Sequence, residues 1–336
     1  MLSDKDMMHK YTIVSRTACR LAVTFGLLLS AAPVLAQEWP SRPIHMIVPF
    51  GPGSTPDLLA RTLAEKLTSR LGKPIIVENK SGAGGNVGTG LVAKAAPDGY
   101  TIGVTISGPL AANTILYKNL SYQPQRDIAP VSIAATQPSV LVVPSRLNIR
   151  TAAELLAALR ANPGKFNYSS MGSGSISHLA VEALAAQSAT ELVHVPYASS
   201  GQAVTALLAG DTQLAVLPAA AVMAQVKAGK LNALAVATAR RSAVVPELPT
   251  LSEAGIRDVQ ADAWMGVIAP AKTPAAILSR LQNEVIGIMR AEDVRQKLQA
   301  LWMEPVGSTP AEFSATVQAD LERWRPIIRK HNIVLD

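Results

Sequence analysis

Short apolar runs alternate along the chain with longer stretches in which apolar residues recur every three or four positions. The run at 44–50 reads as a buried strand that breaks at Gly51-Pro52-Gly53. Leu59, Leu63, Leu67 and Leu71 then fall on one face of a helix. Ser54 or Thr55 is its N-cap, Pro56 its first position, and Asp57 sits in its first turn. Residues 74–78 read as a second strand. The glycine-rich stretch 81–90 opens a helix over 91–96. Residues 100–106 read as a third strand, and Ser107-Gly108-Pro109 starts a helix toward Tyr117.

Past a proline-rich segment at 124–130, the run 131–143 reads as one or two strands crossing into a second domain. Thr151 and Glu154 form a capping box for a helix that ends at Asn162-Pro163-Gly164. Strands at 166–171, 193–196, 214–217 and 231–237 alternate with helices at 176–187, after Gln202, and at 218–228. A strand at 264–268 crosses back, and helices at 274–302, with a break near Glu292, and 310–330 close the chain. Steady alternation of strand and helix predicts an α/β protein with parallel sheets. The expected division is 37–137 with 263–336 as domain 1 and 138–262 as domain 2, hinged near 135–141 and 259–264.

The loops at the strand ends carry the candidate chemistry. A strand feeding a glycine turn and a helix N-terminus makes an anion site, because the first helical N–H groups lack internal partners and the helix dipole is positive there. This places Phe50, Gly51, Gly53, Ser54, Thr55 and Asp57 at one end of a small carboxylate ligand. Gly84, Gly85 and Asn86 follow the second strand and Ser107 the third, and ligands collect at the carboxyl ends of strands in open parallel sheets. Asp57 either touches ligand or stabilises its helix N-terminus. Met residues are scattered and read as core.

Gly88-Thr89-Gly90 fits a loose dinucleotide fingerprint, but its loop is long and the next strand ends at Ser107 instead of a ribose-binding acid. No spacing of His, Cys and Asp forms a metal set, and no cofactor is expected. The formal charge is +7, aromatics are 4%, and the basic residues are dispersed, which argues against a nucleic-acid groove.

The amino terminus predicts export. Lys10, Arg16 and Arg20 precede an apolar run at 21–35, and Val34-Leu35-Ala36 supplies a peptidase site, so a signal peptide over 1–36 is cleaved after Ala36. The run is short for a membrane anchor. Cys19, the single cysteine, leaves with it, and the exported chain is then held by its core alone.

A series of short motifs resembles the Bug-type, TctC-like periplasmic solute-binding proteins of tripartite tricarboxylate transporters. It includes Trp39-Pro40-Ser41-Arg42-Pro43, Val48-Pro49-Phe50, Glu78-Asn79-Lys80-Ser81-Gly82-Ala83-Gly84-Gly85-Asn86 and Ala96-Pro97-Asp98-Gly99-Tyr100. Ser177-His178-Leu179-Ala180, His194-Val195-Pro196-Tyr197 and Leu248-Pro249-Thr250-Leu251 continue it. The resemblance implies a two-domain flytrap fold, each domain a mostly parallel sheet flanked by helices, closing on a carboxylated solute held by backbone amides, hydroxyls and water. It adds Ser173, Ser175, His178, Tyr197 and Ala198 as second-domain contacts. Bland roles stand beside these: Ser173 and Ser175 as helix caps, His178 as a loop brace, Tyr197 as core. The implied partners are the solute and membrane transporter subunits, or a sensor kinase, with the receptor a monomer. An exported hydrolase using Ser175, His178 and Asp57 is the alternative, although no G-x-S-x-G elbow surrounds a serine. Two positions depart from the family pattern. Ser54 replaces a glycine, and Leu217-Pro218 stand where relatives often carry Asp-Asn, which points away from amino-acid ligands.

Overall fold

The computed structural model describes residues 39–335, so the expected signal segment and its cleavage after Ala36 lie outside the described residues. Residues 39–41 contain neither helix nor strand. From Arg42 onward the chain builds two sheets.

The first sheet has six strands in the order β11-β4-β10-β3-β1-β2. They are β1 (Ile44–Val48), β2 (Ile75–Asn79), β3 (Thr101–Ile106), β4 (Ile128–Gln137), β10 (Ala263–Pro270) and β11 (Glu304–Pro305). The second has five, ordered β7-β6-β8-β5-β9: β5 (Ser139–Pro144), β6 (Asn167–Ser170), β7 (Val193–Pro196), β8 (Leu214–Pro218) and β9 (Leu231–Val236). β1 through β4 share one direction, and β10 and β11 run against it. β6 through β9 share one direction, with β5 reversed between β8 and β9. Both sheets are thus mixed, not parallel as the alternation of elements predicts: the pairs among β3, β1 and β2 and among β7, β6 and β8 are parallel, and every pair made by β10, β11 or β5 is antiparallel. The reversals at β5 and β10 fall where the chain passes from one sheet to the other.

The apolar run 131–143 resolves into β4 and β5, which belong to different sheets and are separated by Pro138. Proline cannot donate to a ladder, and the chain changes sheets at this residue. Helices α1 (Thr55–Leu71), α2 (Asn86–Ala93), α7 (Ala275–Met289), α8 (Glu292–Ala300) and α9 (Pro310–Lys330) accompany the first sheet. Helices α3 (Ala152–Ala161), α4 (Ile176–Ser188), α5 (Ser200–Ala209) and α6 (Ala219–Lys227) accompany the second. The expected helix from Ser107 to Tyr117 is instead two single turns, Ser107–Leu110 and Asn113–Leu116. Ala111 between them is non-helical (φ −126°, ψ −88°), and Asn113 is drawn into tertiary hydrogen bonds described below.

Leu59, Leu63, Leu67 and Leu71 all face inward from α1, as their spacing requires. α9 reaches both sheets. Phe313 near its start packs with Ile47, Trp264 and Ile268 of the first core, while Trp324 and Ile328 near its end pack with Leu141, Tyr168 and Leu179 of the second. Between these ends Asp320 accepts the Trp264 indole N–H at 2.8 Å, and Arg323 donates to Asp320 and to Gln260. Burial pushes the Asp320 carboxyl above its usual range despite these donors. No described helix is long and apolar enough to cross a membrane.

Candidate functional site

The loop after β1 is fastened from beneath by Asp57. Its carboxylate is buried (1% exposed) and accepts the Gly53 N–H at 2.9 Å, Arg61 Nε–H at 3.0 Å and Asn79 Nδ2–H at 2.8 Å. The same Asn79 amide donates to the Phe50 carbonyl at 2.8 Å, so it joins the end of β2 to the loop after β1. Burial pushes the Asp57 carboxyl up, but the bonds from Arg61, Gly53 and Asn79 outweigh it and hold the group below its usual range. The carboxylate thus ties the loop after β1 to α1 and to the end of β2.

Ser54 occupies the N-cap of α1, yet its side chain makes no capping bond and its Oγ is buried without a hydrogen-bond partner. Thr55 Oγ1 lies 3.4 Å from Gln137 Oε1 at the end of β4. The leading N–H groups of α1 therefore have no side-chain cap.

The loop after β2 turns through four consecutive left-handed residues, Gly82, Ala83, Gly84 and Gly85. A Cβ on Gly85 would lie 2.9 Å from Pro109 and 3.1 Å from the Phe50 ring. Glycine is required because this loop wedges between the loops after β1 and β3. Asn86 opens α2 and is buried, accepting from Asn113 Nδ2 at 2.7 Å and from the Tyr122 hydroxyl at 3.2 Å; Asn113 also reaches the Gly84 carbonyl. No side chain caps α2. Ser107 is buried at the end of β3. Phe50, Gly51, Gly53, Ser54, Thr55, Gly84, Gly85, Asn86 and Ser107 thus lie at adjacent strand ends of one sheet.

The second set is built differently. Ser175 caps α4, its Oγ accepting the His178 N–H at 3.3 Å and donating to the Gly172 carbonyl at 2.6 Å. His178 Nδ1 accepts the Gly174 N–H at 3.0 Å. A neutral ring then carries its proton on Nε2, which faces Glu182 at 3.8 Å. The His178 ring stacks on His194 at 3.9 Å, and His194 stacks on Tyr168 at 4.9 Å. Tyr168 donates to Glu182, whose other oxygen lies 2.9 Å from His331 Nδ1. Burial, with His194 and His331 nearby, holds His178 down to about 3, and burial also lowers His194. His178 braces the loop 172–175.

Ser173 is exposed in that loop. The Tyr197 ring packs on the second-sheet core, and its N–H donates to the Ser170 carbonyl. The Ala198 N–H, expected to face ligand, is committed to Gln202 Oε1 at 3.0 Å, while Ser199 caps α5. The starts of α4 and α5 are therefore closed by side chains, and those of α1, α2 and α6 are open. The two sets meet at Gly174, where a Cβ would come within 2.9 Å of Leu116 and 3.0 Å of Leu335.

The hydrolase alternative fails on this geometry. Ser175 Oγ donates to a carbonyl, not to His178, and Asp57 is held by Gly53, Arg61 and Asn79 with no histidine among its partners. Asn79, Asn113 and Gln137 were not among the expected site residues. Asn79 and Gln137 end β2 and β4, so their signal was a polar side chain at the carboxyl end of a strand. Asn113 had no such signal, because it lies inside a stretch that reads as helix.

Two mixed sheets flanked by helices, with glycine loops at adjacent strand ends, are the architecture of the periplasmic binding proteins that the chain resembles. The chain belongs to the tripartite tricarboxylate transporter family receptor (TctC) family, whose model matches residues 59–333. It is 34% identical to Protein BugT of Bordetella pertussis over 316 residues, 93% of this chain and 97% of that one. Among solved structures it resembles R. palustris Rpa4515 with adipate, at TM-score 0.79 and 32% identity over 88% of this chain and 99% of that one. It also resembles MatC from Rhodopseudomonas palustris with bound malate, at TM-score 0.73 and 30% identity over 86% and 100% of the two chains. The family is one of transporter receptors, not enzymes.

Proposed function

We propose that this chain is an extracytoplasmic receptor that binds a small dicarboxylate and delivers it to the membrane subunits of a tripartite transporter. The observation that carries the reading is the contrast in helix starts. α1 and α2 present two uncapped N-termini at adjacent strand ends of one sheet, whereas in the second sheet α4 and α5 are capped by Ser175 and Ser199 and α6 alone starts uncapped, after Pro218. Uncapped N–H groups and the positive end of the helix dipole favour a carboxylate without a cationic clamp. The buried, unpartnered Ser54 hydroxyl supplies a further donor beside them. Adipate and malate, carried by the related R. palustris structures, set the expected ligand size.

Residues 37–137 with 263–336 form one lobe and 138–262 the other, and ligand contacts made by both lobes favour the closed arrangement. The chain is exported and cleaved after Ala36, which mass measurement of the secreted protein checks. Leu217 and Pro218 leave no acid at the end of β8 for a ligand ammonium, so malate and adipate bind in preference to aspartate and glutamate.

The test is a thermal-shift and calorimetric panel on protein refolded free of carried-over ligand, with adipate, malate, citrate, aspartate and the corresponding diamides. A ligand at about 100 times its Kd adds about 2.7 kcal/mol and raises Tm by several degrees. A rise with one diacid and none with its diamide is expected. No rise with any acid, or an equal rise with the diamide, overturns the reading.

A further inference from the structure

The chain first crosses from one sheet to the other through Gln137, which ends β4, Pro138, and Ser139, which starts β5. β4 runs in the direction of β1, β2 and β3, so Gln137 lies at the same end of the first sheet as the glycine loops of the candidate site. β5 runs against β8, so Ser139 stands opposite Pro218 at the carboxyl end of β8. The crossing therefore sits where the carboxyl ends of the site strands of both sheets meet. An uncapped helix start touches it from each half. Thr55, the first residue of α1, donates from its hydroxyl to Gln137 Oε1 at 3.4 Å. The N–H of Ala219, the first residue of α6, donates to the Pro138 carbonyl at 2.9 Å.

Gln137 is 2% exposed, and its amide is under-used. A primary amide carries two N–H donors on its nitrogen and an acceptor on its oxygen. The Thr55 hydroxyl engages the oxygen, which sets the sense of the group. Nε2 reaches the Leu301 carbonyl at 3.5 Å, beyond the usual length of such a bond. Its second N–H has no acceptor among the described residues. Buried donors are nearly always satisfied, and a spare one beside an open helix start calls for an explanation. Neither partner of the amide is charged, so an anion could take the donor without displacing an ion pair.

We propose that Gln137 is a specificity-determining residue of the receptor, its Nε2–H donating, directly or across one bridging water, to the solute carboxylate held at the start of α1. The inference rests on the receptor reading above. The donor joins the free N–H groups of α1 where the negative charge of the solute collects. Bonds to an ionised acceptor are about twice as strong as neutral ones, so the residue favours a carboxylate over a carboxamide. With Oε1 held by Thr55, the free side of the amide offers donors alone and has nothing for a ligand ammonium.

The test measures Kd for adipate and for adipamide, its diamide, by calorimetry at pH 8, with Tm recorded without ligand. Gln137→Met keeps the length of the side chain and removes both donors. It is expected to weaken adipate by about ten- to a hundredfold and adipamide by about tenfold less than that. Gln137→Glu is close to isosteric and sets a carboxylate against the solute. It is expected to weaken adipate by about a hundredfold or more and to bind adipamide more tightly than the unmutated protein does, because the new oxygen accepts from the carboxamide N–H. Lost packing or a loosened loop weakens both ligands together and leaves their ratio alone, so the ratio separates specificity from structure. An adipate-to-adipamide ratio within about twofold of the unmutated value in both variants overturns the proposal. Failure of the unmutated protein to bind any acid overturns the receptor reading and the proposal with it, whereas acid binding with an unchanged ratio in the variants overturns the proposal alone.

Discussion

Replacing Asp57 by Asn tests whether the first loop is held from within the protein or by its ligand. The carboxylate takes three donors, from Gly53, Arg61 and Asn79. An amide keeps one acceptor and turns the other into a donor. Either orientation sets N–H against N–H, toward Asn79 or toward Gly53 and Arg61. Hydrogen bonds to a buried charged acceptor contribute about 1.5–3 kcal/mol each. The Arg61 side chain is 52% exposed, so its contact counts for no more than about 1 kcal/mol. With one of the two buried bonds lost and the other weakened, Asp57→Asn should cost about 2–4 kcal/mol, a fall in Tm of roughly 4–10 °C for a chain this long.

The assay is calorimetric melting at pH 7 without ligand, followed by titration with adipate. The brace predicts that stability falls first and that affinity falls because the loop loosens. A variant that melts within about 1 °C of the parent yet no longer binds would refute the bracing argument. The pH dependence carries the same sign. The folded carboxyl sits below its ordinary range, so its contribution is complete above the unfolded value of about 3.9 and disappears as pH falls through the folded one. Asp57→Asn should remove that acid sensitivity.

Three further substitutions follow from the same geometry. His178 is held down to about 3, so the folded ring stays neutral while the unfolded one charges near pH 6.5. Stability should therefore fall between pH 6.5 and 4, by up to about 3 kcal/mol from this group, and His178→Asn should flatten that part of a Tm-against-pH curve. Gly85→Ala meets Pro109 and Phe50 at a left-handed backbone position; it should cost about 1–3 kcal/mol in thermal melting and weaken adipate binding in calorimetry. Trp264→Phe removes the indole donor from buried Asp320 and should destabilise by about 1–3 kcal/mol in denaturant unfolding, with m unchanged.

The alternation of strands and helices was legible because each element's period survives burial: the four leucines of α1 and the apolar run of β1 need no tertiary context. Strand direction was not legible. The residues of β5 and β10 read like any other buried strand, and their reversal is set by which sheet the chain is entering. The two residues of β11 form a strand only because β4 offers an open edge, and no local pattern marks them. Asn113 shows the limit from the other side. The stretch 107–117 reads as one helix, but the backbone leaves the helix at Ala111, and the Asn113 side-chain amide just beyond it donates to Asn86 and to the Gly84 carbonyl.

The site shows the same division between chemistry and commitment. Glycine and hydroxyl residues at strand ends were readable as candidate donors, but which donors remain free depends on partners distant in sequence. Ser175 and Ser54 look equivalent, each a hydroxyl just before a helix. Ser175 is tied to Gly172 and to its own helix, whereas the Ser54 hydroxyl is left without a bond. Asp57 and His178 look like reactive groups, yet both take hydrogen bonds from loop N–H groups, at Gly53 and Gly174. The polar residues nearest the candidate site therefore divide into those that fix loop shape and those whose hydrogen-bonding capacity is unspent. Ligand selectivity should follow the second group: a change at Ser54 should alter which acid binds, while changes at Asp57 or His178 should weaken all acids together.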